Sequence, residues 1–147
     1  MSNVLFVCIG NQGRSVMAEH LFRRVAPEHP TRSAGSAPGR ATHPEVLEAL
    51  AEVGIDASDH VPHELDDDDI DWADAVVTTC DDVCPIVPAK RYVHWEIEDP
   101  VGGPIERVRE IRDEIARRAR SGHPPGPRSP NGRTAWRARW GRRRRRS

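Results

Sequence analysis

The apolar run Val4-Leu5-Phe6-Val7 ends at Cys8, and Ile9-Gly10-Asn11-Gln12-Gly13-Arg14-Ser15 leads straight into Val16-Met17-Ala18-Glu19-His20-Leu21-Phe22-Arg23. This order confines the chain to folds in which a buried strand hands a thiol into a loop and the loop opens a helix. Loop N–H groups and the helix N-terminus then point inward and concentrate positive potential at the sulfur. That potential favours thiolate over thiol. The same donors, with the planar fork of Arg14, suit a tetrahedral oxyanion such as phosphate or arsenate. Gly10 and Gly13 are expected to permit close backbone approach. Asn11 is expected to tie the loop or accept an unusual backbone angle, and Ser15 to donate its hydroxyl to the sulfur. A cysteine and an arginine at this spacing are common in proteins, and a lone strand-end cysteine is as easily inert. Only the preceding strand and the following helix make the pattern specific.

The remaining chain alternates between strand and helix signals. Asn3 to Cys8 reads as a buried strand, and Ser15 to Val25 as a helix with apolar residues at three- and four-residue steps. Thr31 to Ser36 is a short candidate strand, and Pro44 opens a helix that Gly54 ends. Asp66 to Asp69 read as a solvated loop or a helix N-terminus, with no metal assigned. Ala75 to Thr79 predicts a third strand ending at Cys80, Arg91 to Ile97 a fourth ending before Asp99-Pro100, and Pro104 to about Arg118 a last helix. Such alternation predicts a single α/β domain with a four-stranded parallel open sheet, whose ligands bind beyond the carboxyl ends of the strands. Cys8, Cys80 and Asp99 all fall at such ends.

Charge divides the chain in two. Of 22 basic and 23 acidic residues, twelve arginines and no acid lie in 117–147, leaving ten basic groups against all 23 acids in 1–116. A body that acidic argues against nucleic-acid binding by the domain, which needs clustered Lys and Arg. It also leaves the loop and Arg14 to capture an anion by their local field, over a Debye length of about 8 Å. From Ala119 the composition turns to Pro, Gly and Arg, so the domain is expected over 1–118 and a disordered Arg-rich tail over 119–147. That tail is read either as a solvated extension or as a contact for nucleic acid or an acidic partner. No apolar stretch approaches the roughly 20 residues of a membrane span, and no export signal is evident, so a cytoplasmic location is expected.

Three cysteines without an export signal point to catalytic or redox thiols in a reducing compartment rather than a disulfide framework. For Cys80 and Cys84, separated by three residues, zinc binding, inert thiols and a redox pair are all open, and the redox pair is favoured because successive thiol–disulfide exchanges can start from Cys8. Asp99 is a candidate general acid on a departing oxygen, or else a turn aspartate. His94 and Trp95 are read as packed strand residues.

The Cys8–Ser15 loop with Met17-Ala18-Glu19, the Ser33-Ala34-Gly35 segment and Asp99-Pro100 resemble the low-molecular-weight tyrosine phosphatase superfamily. Val76-Val77-Thr78-Thr79-Cys80, Cys84-Pro85, His94-Trp95, and His43-Pro44 leading to Gly54-Ile55-Asp56 are similar to the arsenate reductases sharing that fold. The resemblance covers residues 3 to 118. It implies arsenate bound by the loop residues Ile9, Gly10, Asn11, Gln12 and Gly13 and by Arg14, with phosphate or sulfate as competitors. It also implies attack by a Cys8 thiolate stabilised by Ser15, and loss of hydroxide assisted by Asp99. Cys80 and Cys84 would carry the disulfide outward to thioredoxin. Gly13 stands where relatives often have a second cysteine, and the Cys80–Cys84 spacing is short. This shorter spacing is similar to relatives served by a low-molecular-weight thiol such as mycothiol with mycoredoxin, a glutaredoxin-like protein. The resemblance implies no tightly bound cofactor, although Asn11 and Glu19 match part of a potassium site of some relatives. Two alternatives stand beside it: a phosphatase that hydrolyses a phosphocysteine, and a non-catalytic oxyanion or thiol sensor. After Asp99-Pro100 the chain has Val101-Gly102-Gly103 in place of an aromatic rim, which favours a small inorganic substrate.

Overall fold

A computed structural model describes residues 2–80 and 91–121. Four strands, β1 (Val4–Cys8), β2 (Thr31–Gly35), β3 (Ala75–Thr78) and β4 (Arg91–His94), form one parallel sheet in the order β2-β1-β3-β4. Helices α1 (Arg14–Val25), α2 (Pro44–Ala51), α3 (Asp67–Trp72) and α4 (Ile105–Ser121) complete it. The expected sheet is therefore present, with β1 inside it and paired on both sides from Val4 onward.

Every residue of β1 is buried, and alternation along the strand divides them between two cores. Val4 and Phe6 face the larger core with Phe22 of α1, Leu50 of α2, and Ile111 and Ile115 of α4. Leu5 and Val7 face a smaller core completed by Ala34, Val76 and α3, with Ile70 and Trp72 packed against it. Trp95 is buried with its ring 5.9 Å from that of Phe6, as expected of a packed residue. His94 is only partly buried and bonds Thr78 Oγ1 through Nδ1 at 2.7 Å.

Three boundaries differ from the sequence pattern. The fourth strand stops at His94 rather than Ile97, because its partner β3 ends at Thr78; beyond it, single bonds from Trp95 N–H to Thr78 O and from Ile97 N–H to Cys80 O carry the chain on. The last helix runs to Ser121, since Ala119 extends the buried stripe of Ile111 and Ile115 by one more four-residue step. The acidic run forms a helix start: Asp66 caps α3 by accepting from Asp69 N–H, and Asp69 accepts from Asp66 N–H in return. The expected tail from residue 122 onward and Cys84, expected as a redox thiol, lie outside the described residues. Among the described residues, no helix is long and apolar enough to cross a membrane.

Candidate active site

Strand β1 and helix α1 converge on a loop at the carboxyl edge of the sheet, beside the end of β3. Thr79 fastens the two strand ends, giving both its N–H (2.9 Å) and its hydroxyl (3.1 Å) to Val7 O. The loop leans on the end of β2, where Gly35 is required: a Cβ there would lie 2.4 Å from Ile9 O. Gly10 and Gly13 are less closely approached by the protein itself. A Cβ on Gly10 meets only the end of the Gln12 side chain, and one on Gly13 makes ordinary contacts of 3.5 Å and more. The left-handed residue of the loop is Asn11, with φ +52°.

Behind the loop, backbone chemistry fixes the direction of a hydrogen-bond chain. The His63 N–H can only donate, and it lies 2.9 Å from Asn11 Oδ1, which orients the amide. Asn11 Nδ2 therefore donates to Ser15 Oγ at 2.8 Å. The Ser15 proton is left for Cys8 Sγ at 3.0 Å, and the Asn11 N–H reaches the same sulfur at 3.2 Å. Two donors on one sulfur suit a thiolate. His60 closes the chain: its Nε2 is 3.2 Å from Asn11 Oδ1 and 3.3 Å from Asn11 O, two acceptors, so it carries a proton. Burial pushes the His60 pKa down, only partly opposed by Glu19 and the Asn11 carbonyl, which is consistent with a neutral ring.

In front of the sulfur lies a cavity of about 240 Å³ lined by Cys8, Ile9, Gly10, Gln12, Gly13, Arg14, Ala37, His43, Asp99 and Val101. Arg14 is buried; its Nη1 donates to Ile97 O at 3.2 Å, and its Nη2 stands 3.8 Å from Asp99 Oδ2. Asp99 is half exposed, and its Oδ1 accepts the Val101 N–H at 3.0 Å. It therefore sits in a turn and at the cavity wall at once. The structure thus brings Cys8, Arg14, Asp99 and the loop together, with Asn11 and Ser15 supporting the sulfur from behind. Cys80 is fully buried just past β3 and does not line this cavity. His43, His60 and His63 were not singled out as site residues from sequence. Their only sequence signal is position: His43 before the proline that opens α2, the other two in a stretch with no regular pattern.

The oxygens matching part of a potassium site already have protein donors. Glu19 Oε1 accepts from Ser33 at 2.8 Å and Oε2 from Arg23 at 2.6 Å, while Asn11 Oδ1 takes His63 N–H and His60. A cation at these oxygens would share them with the Ser33, Arg23, His63 and His60 donors, with the Arg23 charge beside it. His63, Asp66 and Asp69 bring ligand atoms within 4.8 Å of one another, but they serve the α3 cap and ion pairs with each other and with Arg32.

The model of the low molecular weight phosphotyrosine protein phosphatase family matches residues 3–123. Arsenate reductase 2 of Staphylococcus haemolyticus is 35% identical over 116 residues, 76% of this chain and 88% of that protein. The crystal structure of arsenate reductase from Archaeoglobus fulgidus superposes with a TM-score of 0.71 at 34% identity, covering 80% of this chain and 96% of that one. The thioredoxin-dependent arsenate reductase of Corynebacterium glutamicum is 42% identical, with a TM-score of 0.66, over 80% of this chain and 58% of that one. A strand-borne thiol cradled at a helix start, on this sheet order and with a family match across nearly all described residues, has one classification: the chain belongs to the low molecular weight phosphotyrosine protein phosphatase family.

Proposed function

We propose that the chain is a thiol-dependent arsenate reductase of the cytoplasm. The observation that carries the reading is the Cys8 sulfur, held by two donors at the base of a small cavity walled by Arg14 and Asp99, while Cys80 lies at the end of the adjoining strand. The named relatives support arsenate as the substrate. Among the described residues, the cavity rim has Val101 and no Phe, Tyr or Trp, which suits a small tetrahedral anion better than a substituted ring.

In this reading the loop N–H groups and the Arg14 fork hold arsenate with its arsenic facing Cys8. The thiolate forms an S–As bond, and hydroxide leaves as water after taking a proton from Asp99. A second thiolate then attacks the Cys8 sulfur. The S–As bond breaks with its electron pair going to arsenic, which leaves as arsenite, and a disulfide takes its place. If Cys80 is the attacker, Cys84 next displaces Cys8 from the Cys8–Cys80 disulfide, and thioredoxin reduces the resulting Cys80–Cys84 pair. If mycothiol is the attacker, mycoredoxin reduces the mixed disulfide on Cys8. Two electrons pass from thiols to arsenic on either route.

The test is arsenite formation from arsenate, with thioredoxin and its reductase in one assay and mycothiol with mycoredoxin in another. Cys8→Ser is expected to abolish turnover in both. Loss in Cys80→Ser and Cys84→Ser with thioredoxin establishes the internal relay; turnover with mycothiol that survives both substitutions assigns the second thiol to mycothiol. Hydrolysis of phosphate esters with no arsenite in either assay would overturn the reading in favour of the phosphatase.

A further inference from the structure

His43 stands directly before α2, in the position from which a side chain caps a helix, yet its ring makes no capping bond. Its backbone is committed instead: the N–H donates to Gln12 O at 3.0 Å and the carbonyl accepts from Val46 and Leu47. These bonds clamp the residue to the thiol loop. The ring is partly buried and forms part of the cavity wall in front of Cys8, with its Cδ2 3.7 Å from where a Gly13 Cβ would sit. Among the described residues, no group hydrogen-bonds the ring.

Charge counting gives this placement a use. Arg14 brings one positive charge, the Asp99 carboxyl lies 3.8 Å from it, and an attacking thiolate adds a negative charge. A doubly charged oxyanion entering such a cavity therefore gains from any donor beyond the loop amides and Arg14, in a chain body that is itself strongly acidic. Among the described residues, Cys8, Arg14, Asp99 and His43 are the titratable or charged side chains of the wall, contributed by β1, α1, the loop after β4 and the residue before α2. Beside Arg14, His43 brings a side-chain N–H donor to that wall.

We propose that His43 is a further oxyanion-binding residue, whose ring N–H donates to an outer oxygen of the tetrahedral anion. The proposal deepens the reductase reading and rests on its oxyanion pocket.

Sulfate is the suitable probe because it stays doubly charged throughout the imidazole range. The measurement is the sulfate concentration that halves iodoacetamide alkylation of Cys8, followed at that residue by mass spectrometry at constant ionic strength, in the natural chain and in His43→Ala. Thermal melting verifies that both are folded, as expected where no side-chain cap is removed. The variant should need about tenfold more sulfate, the size of a lost hydrogen bond to a charged partner. Equal protection in the two proteins overturns the role of His43 and leaves the reductase reading standing. If sulfate and phosphate fail to protect the natural chain at all, the pocket is not an oxyanion site, and both readings fall.

Discussion

Ser15 has one proton to give, and the orientation of Asn11 decides where it goes. Because Asn11 Nδ2 already donates to Ser15 Oγ, the hydroxyl proton points to Cys8. Ser15→Ala should therefore slow Cys8 alkylation about tenfold near neutral pH, by removing a bond to a charged acceptor. Asn11→Ala should cause much of the same loss without deleting that hydroxyl, because the proton is no longer directed. The two act through one bond, so the double variant should lose less than the product of the single losses; independent, multiplicative effects would refute the directed chain. At this scale the sequence was informative about identity and less so about duty. Asn11 was expected either to tie the loop or to bend it, and it does both, through its side chain and at φ +52°. The tightest backbone approach to the loop from within the protein falls on Gly35, in a different strand, where no local pattern points to the Ile9 carbonyl.

Helix α4 shows what an element contributes beyond its own propensity. Its apolar stripe Val108, Ile111, Ile115 and Ala119 is buried against the larger core, while Arg109 and Arg112 reach Glu52, just past the end of α2. Hydrogen bonds from Arg109 hold the Glu52 carboxyl below the usual carboxylate range. Arg112 also donates to Ala49 O, satisfying a carbonyl in the last turn of α2. Since His43 directly precedes α2, α4 indirectly steadies one wall of the cavity. Ile115 is fully buried, so Ile115→Ala should destabilise the protein by about 2–5 kcal/mol in denaturant unfolding. A cost below about 1 kcal/mol would mean that this end of the helix is not packed as described. Periodicity made the stripe legible in sequence, but not its extension to Ser121, because the arginine-rich composition there reads equally well as the start of a tail.

For the whole molecule, His60, the half-buried histidine that braces the thiol loop, also links stability to pH. The His60 pKa is lowered from 6.5, mainly by burial, so on acidification the unfolded chain binds this proton before the folded one does. Stability from this group is present above about pH 6.5 and is lost as pH falls through the lowered folded value. The melting temperature of the natural chain should fall over that interval, and His60→Gln, which keeps a donor for Asn11, should flatten the slope. An unchanged slope in the variant would place the dependence on other groups. Carboxylates held down by partners, such as Glu52 and Asp66, contribute only at lower pH and in the same direction.

What the sequence determined by itself was everything that depends on neighbours along the chain: the strand-to-helix order, the alternation that makes a parallel sheet, and the Cys8–Ser15 loop that carries the thiol from strand to helix. Local spacing suffices for these because apolar periodicity and helix-start geometry act within a few residues. Tertiary structure alone decided which distant groups meet that loop. His43, His60 and His63 lie about thirty to fifty residues from it, and a histidine carries no periodic signal that says whether it is solvated, packed or aimed at a site. They reach the thiol because parallel strands end at one edge, so the connections following β1 and β2 return to it, and because backbone N–H groups there must find acceptors once buried.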